Sequence, residues 1–271
     1  AGYLIDHGGW RMAFVLPGIF SIIMGLAYMA LRWEGIKEDQ RAPAPSGAVV
    51  ADTSAANRAL LIRVSAIVFL TTAVTSVIFQ STTFALPKIF DERLTGLAAQ
   101  LSGWIESVAQ PGQSDVATMV GIMAFTVFAV ASMAQLVVGK MLDRHGPRKV
   151  FMTVATIQII FFFVMPGLTN GLAFAVALGF MLGAFGQIPI NDFMIGKMAS
   201  GAHRARIYGV RYVVSFTALA TSLPLIAFVY DTWGFDTLFY ILSATALVVL
   251  TAAMCLPKTL PTPAAAPAAA A

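Results

Sequence analysis

Gly139-Lys140-Met141-Leu142-Asp143-Arg144-His145-Gly146-Pro147-Arg148-Lys149 joins two long apolar runs, 117–142 and 149–168. Each run approaches or exceeds the roughly 20 mostly apolar residues that a helix needs to cross the hydrocarbon of a bilayer. The stretch between them is short enough to be only a tight turn. A glycine there permits positive φ or a close helix approach. Basic residues suit one side of a membrane. A generic basic turn does not ask for an Asp followed by Arg, then Gly, then a second basic pair.

Working outward, five further apolar segments qualify as spans: 12–32, 60–86, 172–197, 207–230 and 235–256. Strand-like alternation at period two is absent, which disfavours a membrane barrel. Backbone polar groups cannot be left bare in lipid, so a bundle of seven helices is the natural form. The composition agrees. Of 271 residues, 58% are hydrophobic and 11% charged, against about 25% charged in soluble domains. These figures exclude a soluble enzyme, a nucleic-acid-binding module and a disordered tail. One Cys precludes an internal disulfide, and the three His lie too far apart for a short metal-ligand spacing. No cofactor is implied. The chain starts on Ala inside a structured pattern, and it reads as the C-terminal part of a longer protein.

Position sharpens the net charge of +4. All but three of the 17 Lys and Arg residues fall on one face, in the 32–63 connection, the 140–149 turn, the 197–211 turn and the tail. The exceptions are Arg11, Lys88 and Arg93. By the positive-inside rule the crowded face is cytoplasmic, with the C-terminus inside. Residues 33–57, with Arg41-Ala-Pro-Ala-Pro-Ser-Gly, read as a flexible cytoplasmic linker. Between 87 and 116, Phe90, Leu94, Leu97, Leu101, Trp104, Ile105 and Val108 recur at helical spacing and predict a short amphipathic helix at the surface or against the bundle. The Ala/Pro-rich tail, 257–271, is expected to be disordered.

The 139–149 stretch resembles the signature loop of the major facilitator superfamily, Gly-x-x-x-Asp-Arg-x-Gly-x-Arg-Lys. It departs at Pro147, where the stronger copy of the loop carries a basic residue, and so looks like the weaker copy of the second half. Gly9-Trp10-Arg11-Met-Ala-Phe14 likewise resembles the turn before the sixth helix of that family. The resemblance implies an all-α membrane protein in which spans one to seven correspond to the sixth to twelfth helices. Residues 1–32 would end the N-terminal half, 33–57 would link the halves, and 58–256 would form the C-terminal six-helix bundle. Missing N-terminal helices of the same transporter then become partners, beside the lipid bilayer and a small-molecule substrate. An internal repeat points the same way. Asp6, Gly9 and Phe14 align with Asp231, Gly234 and Phe239, at a constant offset of 225 (234 − 9), and Trp10 falls opposite Phe235.

Ionisable groups inside spans are functional suspects. Asp192, in Gln187-Ile-Pro-Ile-Asn191-Asp192, reads either as a proton or substrate carboxylate or as a latch paired with the 144–149 turn or with Arg211. Its depth, about a turn and a half from the cytoplasmic end, favours the latch, and the resemblance points the same way: it implies that Asp143 approaches a neighbouring helix N-terminus, that a basic residue of the loop pairs with a carboxylate on the adjacent helix, and that these contacts break on rocking. Gly139, Asp143, Arg144, Gly146, Arg148, Lys149, Asp192 and Arg211 are thus the gating candidates. Thr72, Ser76, Gln80 and Thr83 form one stripe of span two, and Gly179, Gly183, Gln187 and Asn191 one row of span five. Small residues in such a row are more often packing positions. By resemblance these spans line the central cavity, which makes Thr72, Ser76, Gln80, Gln187 and Asn191 the substrate-lining candidates. The implied activity is secondary active transport of a small solute by alternating access in an inner or plasma membrane, driven by a proton or solute gradient. No Walker-type loop is present. A seven-helix receptor or sensor is the alternative, although span seven has no Lys for a retinal Schiff base. No constellation within the spans supports an enzyme.

Overall fold

The structure, a computed structural model, describes residues 2–39, 55–108, 116–198 and 204–257. Among the described residues all regular structure is helical: α1 (Gly2–Asp39), α2 (Ala55–Arg93), α3 (Thr95–Val108), α4 (Val116–His145), α5 (Pro147–Val164), α6 (Asn170–Met198) and α7 (Arg204–Met254). Six of these are long and apolar enough to cross a membrane. The last such stretch, Arg206–Met254, has 49 residues. At 1.5 Å per residue that is about 74 Å, over twice the roughly 30 Å of hydrocarbon. It makes two passes, because its helical geometry breaks at Gly234. Seven crossings result, as the hydropathy predicts.

The break at Gly234 has φ 75° and ψ −178°. Only glycine adopts that region readily. Gly9, its partner in the 225-residue repeat, breaks α1 with φ 75° and ψ 164°. No atom would crowd a Cβ at either position. The glycines are therefore required by the backbone bend and not by close packing. The repeat seen in sequence is matched by the same rare bend at both places.

Helix ends differ from the sequence-based limits. The 33–57 linker is partly helical: α1 continues to Asp39 and α2 begins at Ala55. Trp33-Glu-Gly-Ile-Lys-Glu-Asp contains no proline, and its Glu and Lys are good helix formers, so nothing stops α1 at 32. The remaining linker residues, 40–54, and the tail from 258 lie outside the described residues. The short helix predicted within 87–116 is α3, but it begins only at Thr95. Phe90 belongs to α2, which runs on through Pro87.

The bundle is built from α2 against α7, α5 against α6 and α7, and α4 against α6. Phe162, Phe180 and Phe239 bring α5, α6 and α7 together in a buried ring cluster, with centroids 5.2 Å apart for Phe162–Phe180 and 5.7 Å for Phe180–Phe239. Apolar packing in lipid is driven by close contact more than by water exclusion. By contrast α1 touches only α4 among the described elements. Its large apolar side chains from Met12 to Leu31 stay exposed.

Two glycines of the α6 row are packing positions. A Cβ on Gly179 would run into the ring of Phe161, and one on Gly183 into Cγ of Gln158. Gln158 is fully buried and hydrogen-bonded, whereas Phe161 is partly exposed and can swing away. Gly183→Ala is therefore expected to cost about 1–3 kcal/mol by overpacking, and Gly179→Ala less. Thermal melts in detergent check this order. A larger loss for Gly179→Ala would contradict it.

Candidate functional site

Helices α2, α6 and α7 line a half-open polar cavity of about 150 Å³. It is lined by Thr72, Thr75, Ser76, Phe79 and Gln80 of α2, by Ala184, Gln187, Ile188 and Asn191 of α6, and by Arg211 and Ser215 of α7. The structure thus brings all five substrate-lining candidates into one cavity. Spacing explains why: polar residues three or four apart share a helix face, and the α2 and α6 faces meet. Thr83, which continues the α2 stripe, is not part of the lining.

The polar groups are tied across helices. The Asn191 amide donates to Thr75 Oγ1 at 2.9 Å. Thr75 Oγ1 in turn donates to the Thr72 carbonyl at 3.2 Å. The hydroxyls of Ser76 and Ser215 are 3.2 Å apart, joining α2 to α7. Gln187 donates its amide to Gln158 Oε1 of α5. Three buried atoms of the lining have no hydrogen-bond partner: Gln187 Oε1, Asn191 Oδ1 and Thr72 Oγ1. A buried acceptor left bare costs about 1–3 kcal/mol.

Asp192 lies next to this wall and forms an ion pair with Arg211. Of the two partners open to Asp192 in the sequence, the structure uses Arg211 and not the 144–149 turn. The pair is lopsided: the Arg211 side chain is 15% exposed and that of Asp192 48%. A guanidinium this covered needs a counter-charge. Arg211 consequently stands at both places, in the cavity wall and in the pair.

The signature loop forms the corner between α4 and α5. Gly146 takes φ 77° and ψ 160°, and Pro147 opens α5. Proline suits that position, since the first helical N–H has no partner within the helix. Asp143, Arg144 and Lys149 are exposed and Arg148 is half-buried. Among the described residues none of these four forms an ion pair. Gly139 lies inside α4 with open space where a Cβ would stand, so no close helix approach depends on it.

A second polar centre, at the opposite end of the bundle, has no counterpart among the sequence-derived candidates. Arg93, the last residue of α2, pairs with Asp236 just beyond the Gly234 bend. It also donates to the carbonyls of Met165 (3.3 Å) and Leu168 (3.2 Å) in the α5–α6 turn. Asp236 in addition accepts from the Gly167 backbone at 3.1 Å. The Leu97 backbone donates to Asn170 Oδ1 at 3.1 Å, and the Tyr230 hydroxyl donates to Glu92. A signal was present: Arg93 ends a long apolar helix on the side poor in basic residues, where Lys88 already pairs with Asp91 and Glu92, so Arg93 needs a partner from elsewhere. No local spacing identifies which.

Among the described residues no group of His, Cys, Asp and Glu could hold a metal ion. No curated protein matches the chain. The family model of the Major Facilitator Superfamily matches residues 113–271, more than half of the chain and inclusive of the signature loop, α6 and both limbs of α7. Membrane-length helices, a glycine corner inside the signature loop and a polar cavity among three helices accord with that match, and the chain belongs to the Major Facilitator Superfamily, as an integral membrane protein of a family whose members are transporters.

Proposed function

We propose that the protein is a secondary active transporter that moves a small polar solute by alternating access, with the α2–α6–α7 cavity as part of its substrate site. The observation that carries this reading is the convergence of Thr72, Ser76, Gln80, Gln187 and Asn191 on one cavity whose buried acceptors are unpartnered. Such acceptors are satisfied by a hydrogen-bond-donating solute, and a solute lacking donors is disfavoured. The Asp192–Arg211 pair is the latch on the side of the signature loop, the side that the basic residues mark as cytoplasmic. Gradient drive fits the lack of a nucleotide-binding loop. The repeat at Gly9 and Gly234 supports α1 as the closing helix of a first half, with α2 to α7 forming the second.

The test is a thermal-shift screen of small polar solutes followed by uptake into proteoliposomes. Gln187→Leu and Asn191→Leu are each expected to raise the apparent KM about tenfold, equivalent to about 1.4 kcal/mol of lost solute binding. Insertion should be unchanged, and a thermal melt of each variant separates lost solute binding from the stability lost when Gln158 Oε1 or Thr75 Oγ1 is left without its donor. An unaltered KM in both variants, with uptake intact, would remove the cavity from the substrate path.

A further inference from the structure

Three cavities lie end to end along α5. The first, about 330 Å³, is lined by His145, Gly146, Arg148, Lys149 and Met152. The second, about 520 Å³, is an open depression on the face of α5 alone; it shares Lys149 and Met152 with the first and continues past Thr153, Thr156 and Ile157. The third, about 370 Å³, shares Thr153 and Ile157 with the second and runs between α4, α5 and α6 along an almost wholly apolar wall. The shared residues make them one groove, basic at the signature loop and apolar toward the middle of the bundle. The two threonines do not interrupt the apolar part. Thr153 and Thr156 donate their hydroxyls to the carbonyls of Lys149 (3.0 Å) and Met152 (2.8 Å), so each polar atom is satisfied within α5. Farther along the helix Ile160 and Phe163 are 54% and 64% exposed, so this side of α5 is not covered by the described helices.

Among the described residues the charges at the mouth lack ion-pair partners. Asp192, for which the sequence left open the loop or Arg211 as partner, pairs with Arg211. Asp143 is the sole acid between 139 and 149, against Lys140, Arg144, Arg148 and Lys149. Among the described residues neither Arg148 nor Lys149 has an ion-pair partner. A basic mouth at the membrane surface, leading into an apolar channel at membrane depth, matches one kind of molecule: a negatively charged head joined to a hydrocarbon tail.

We infer that this groove binds an anionic phospholipid, with its phosphate held by Arg148 and Lys149 and one acyl chain lying along Thr153, Thr156 and Ile157. The site is separate from the solute cavity and does not depend on what the protein transports.

Native mass spectrometry of the protein reconstituted with phosphatidylglycerol or phosphatidylcholine tests this. A basic side chain near an anionic surface contributes roughly fivefold in affinity, so two give about 25–30-fold. Phosphatidylglycerol is expected to be retained over phosphatidylcholine by about that factor. Arg148→Gln/Lys149→Gln should reduce the preference to near one, with the melt in phosphatidylcholine unchanged. Thr153→Phe, which narrows the groove where the second and third cavities meet, should lower retention of phosphatidylglycerol without altering charge. Millimolar inorganic phosphate should not strip the lipid, since it lacks the tail. Equal retention of the two lipids, a preference that survives the double substitution, or displacement by phosphate alone would each overturn the assignment.

Discussion

Asp192→Asn is expected to slow transport at least about tenfold while leaving insertion into the membrane intact. The substitution removes the counter-charge from Arg211, whose side chain is 15% exposed, and leaves a covered cation beside the unpaired carbonyl oxygens of Gln187 and Asn191. Removing one partner of a fully buried pair costs about 3–5 kcal/mol. Asp192 is half exposed, so about 1.5–2.5 kcal/mol is the reasonable figure. If the pair forms in only one of the two access states, that energy is withdrawn from one state alone, and the populations shift by a factor of ten or more. Uptake into proteoliposomes measures it. A charge swap, Asp192→Arg with Arg211→Asp, separates the latch from a proton-carrying role. A latch recovers much of the rate in the swap. A proton carrier does not recover, and Asp192→Asn then keeps solute exchange while losing uphill accumulation. Wild-type uptake by Asp192→Asn would defeat both readings.

The largest loss of stability is expected from Arg93→Ala, about 2–4 kcal/mol. One side chain holds three elements. It neutralises Asp236 and caps the carbonyls of Met165 and Leu168, while its guanidinium lies 5.9 Å from the centre of the Phe239 ring. Truncation leaves Asp236 with only the Gly167 N–H and leaves the Leu168 carbonyl without its donor, while the Met165 carbonyl keeps the Leu168 N–H. Arg93→Lys should fall in between, because an ammonium cannot present the planar fork of donors that reaches several acceptors together. Asp236→Asn should cost least, since an amide oxygen still accepts from Gly167 and from Arg93. Denaturation in detergent gives the order Ala, then Lys, then the Asp236 variant. An Arg93→Ala protein within about 0.5 kcal/mol of the parent would show that the turn finds other partners.

Which features were legible in sequence follows from how far apart the cooperating residues lie. Spans were legible because a bilayer imposes a length and a composition on each helix separately. The second half of α7 was separable from the first because Asp231-Thr-Trp-Gly234 interrupts the apolar run between 207–230 and 235–256, and the repeat of Gly9 at Gly234 agreed with that division. The cavity candidates were legible because Thr72, Ser76 and Gln80, and then Gln187 and Asn191, each keep to one face of one helix. Thr75 was missed although it lies on the same helix. It accepts from Asn191 instead of following the four-residue stripe. Ser215 and the cavity-facing position of Arg211 depend on where α7 crosses α2 and α6, which no local pattern encodes. Arg93 is the clearest case, with partners 72, 75 and 143 residues away. The ends of α1 and α2 were misplaced for the opposite reason. Residues 33–39 are polar yet form helix, and hydropathy marks where lipid ends and not where a helix does.

The two ends of the bundle are fastened differently, and that asymmetry has a mechanical consequence. Around Arg93, helix α2, the α5–α6 turn and the outer corner of α7 are stitched by side-chain and backbone bonds at several points. Near the signature loop, the described residues place a single ion pair, half open to its surroundings, between α6 and α7. A set of rods pinned at one end and lightly tied at the other behaves as a group of levers with a common fulcrum. Displacement then grows with distance from the pin, so small shifts near Asp236 become large ones near Met198 and Arg204. With the Asp192–Arg211 pair as the proposed latch, the loosely tied end is where its rupture would release motion, and it is the end from which the polar cavity would open.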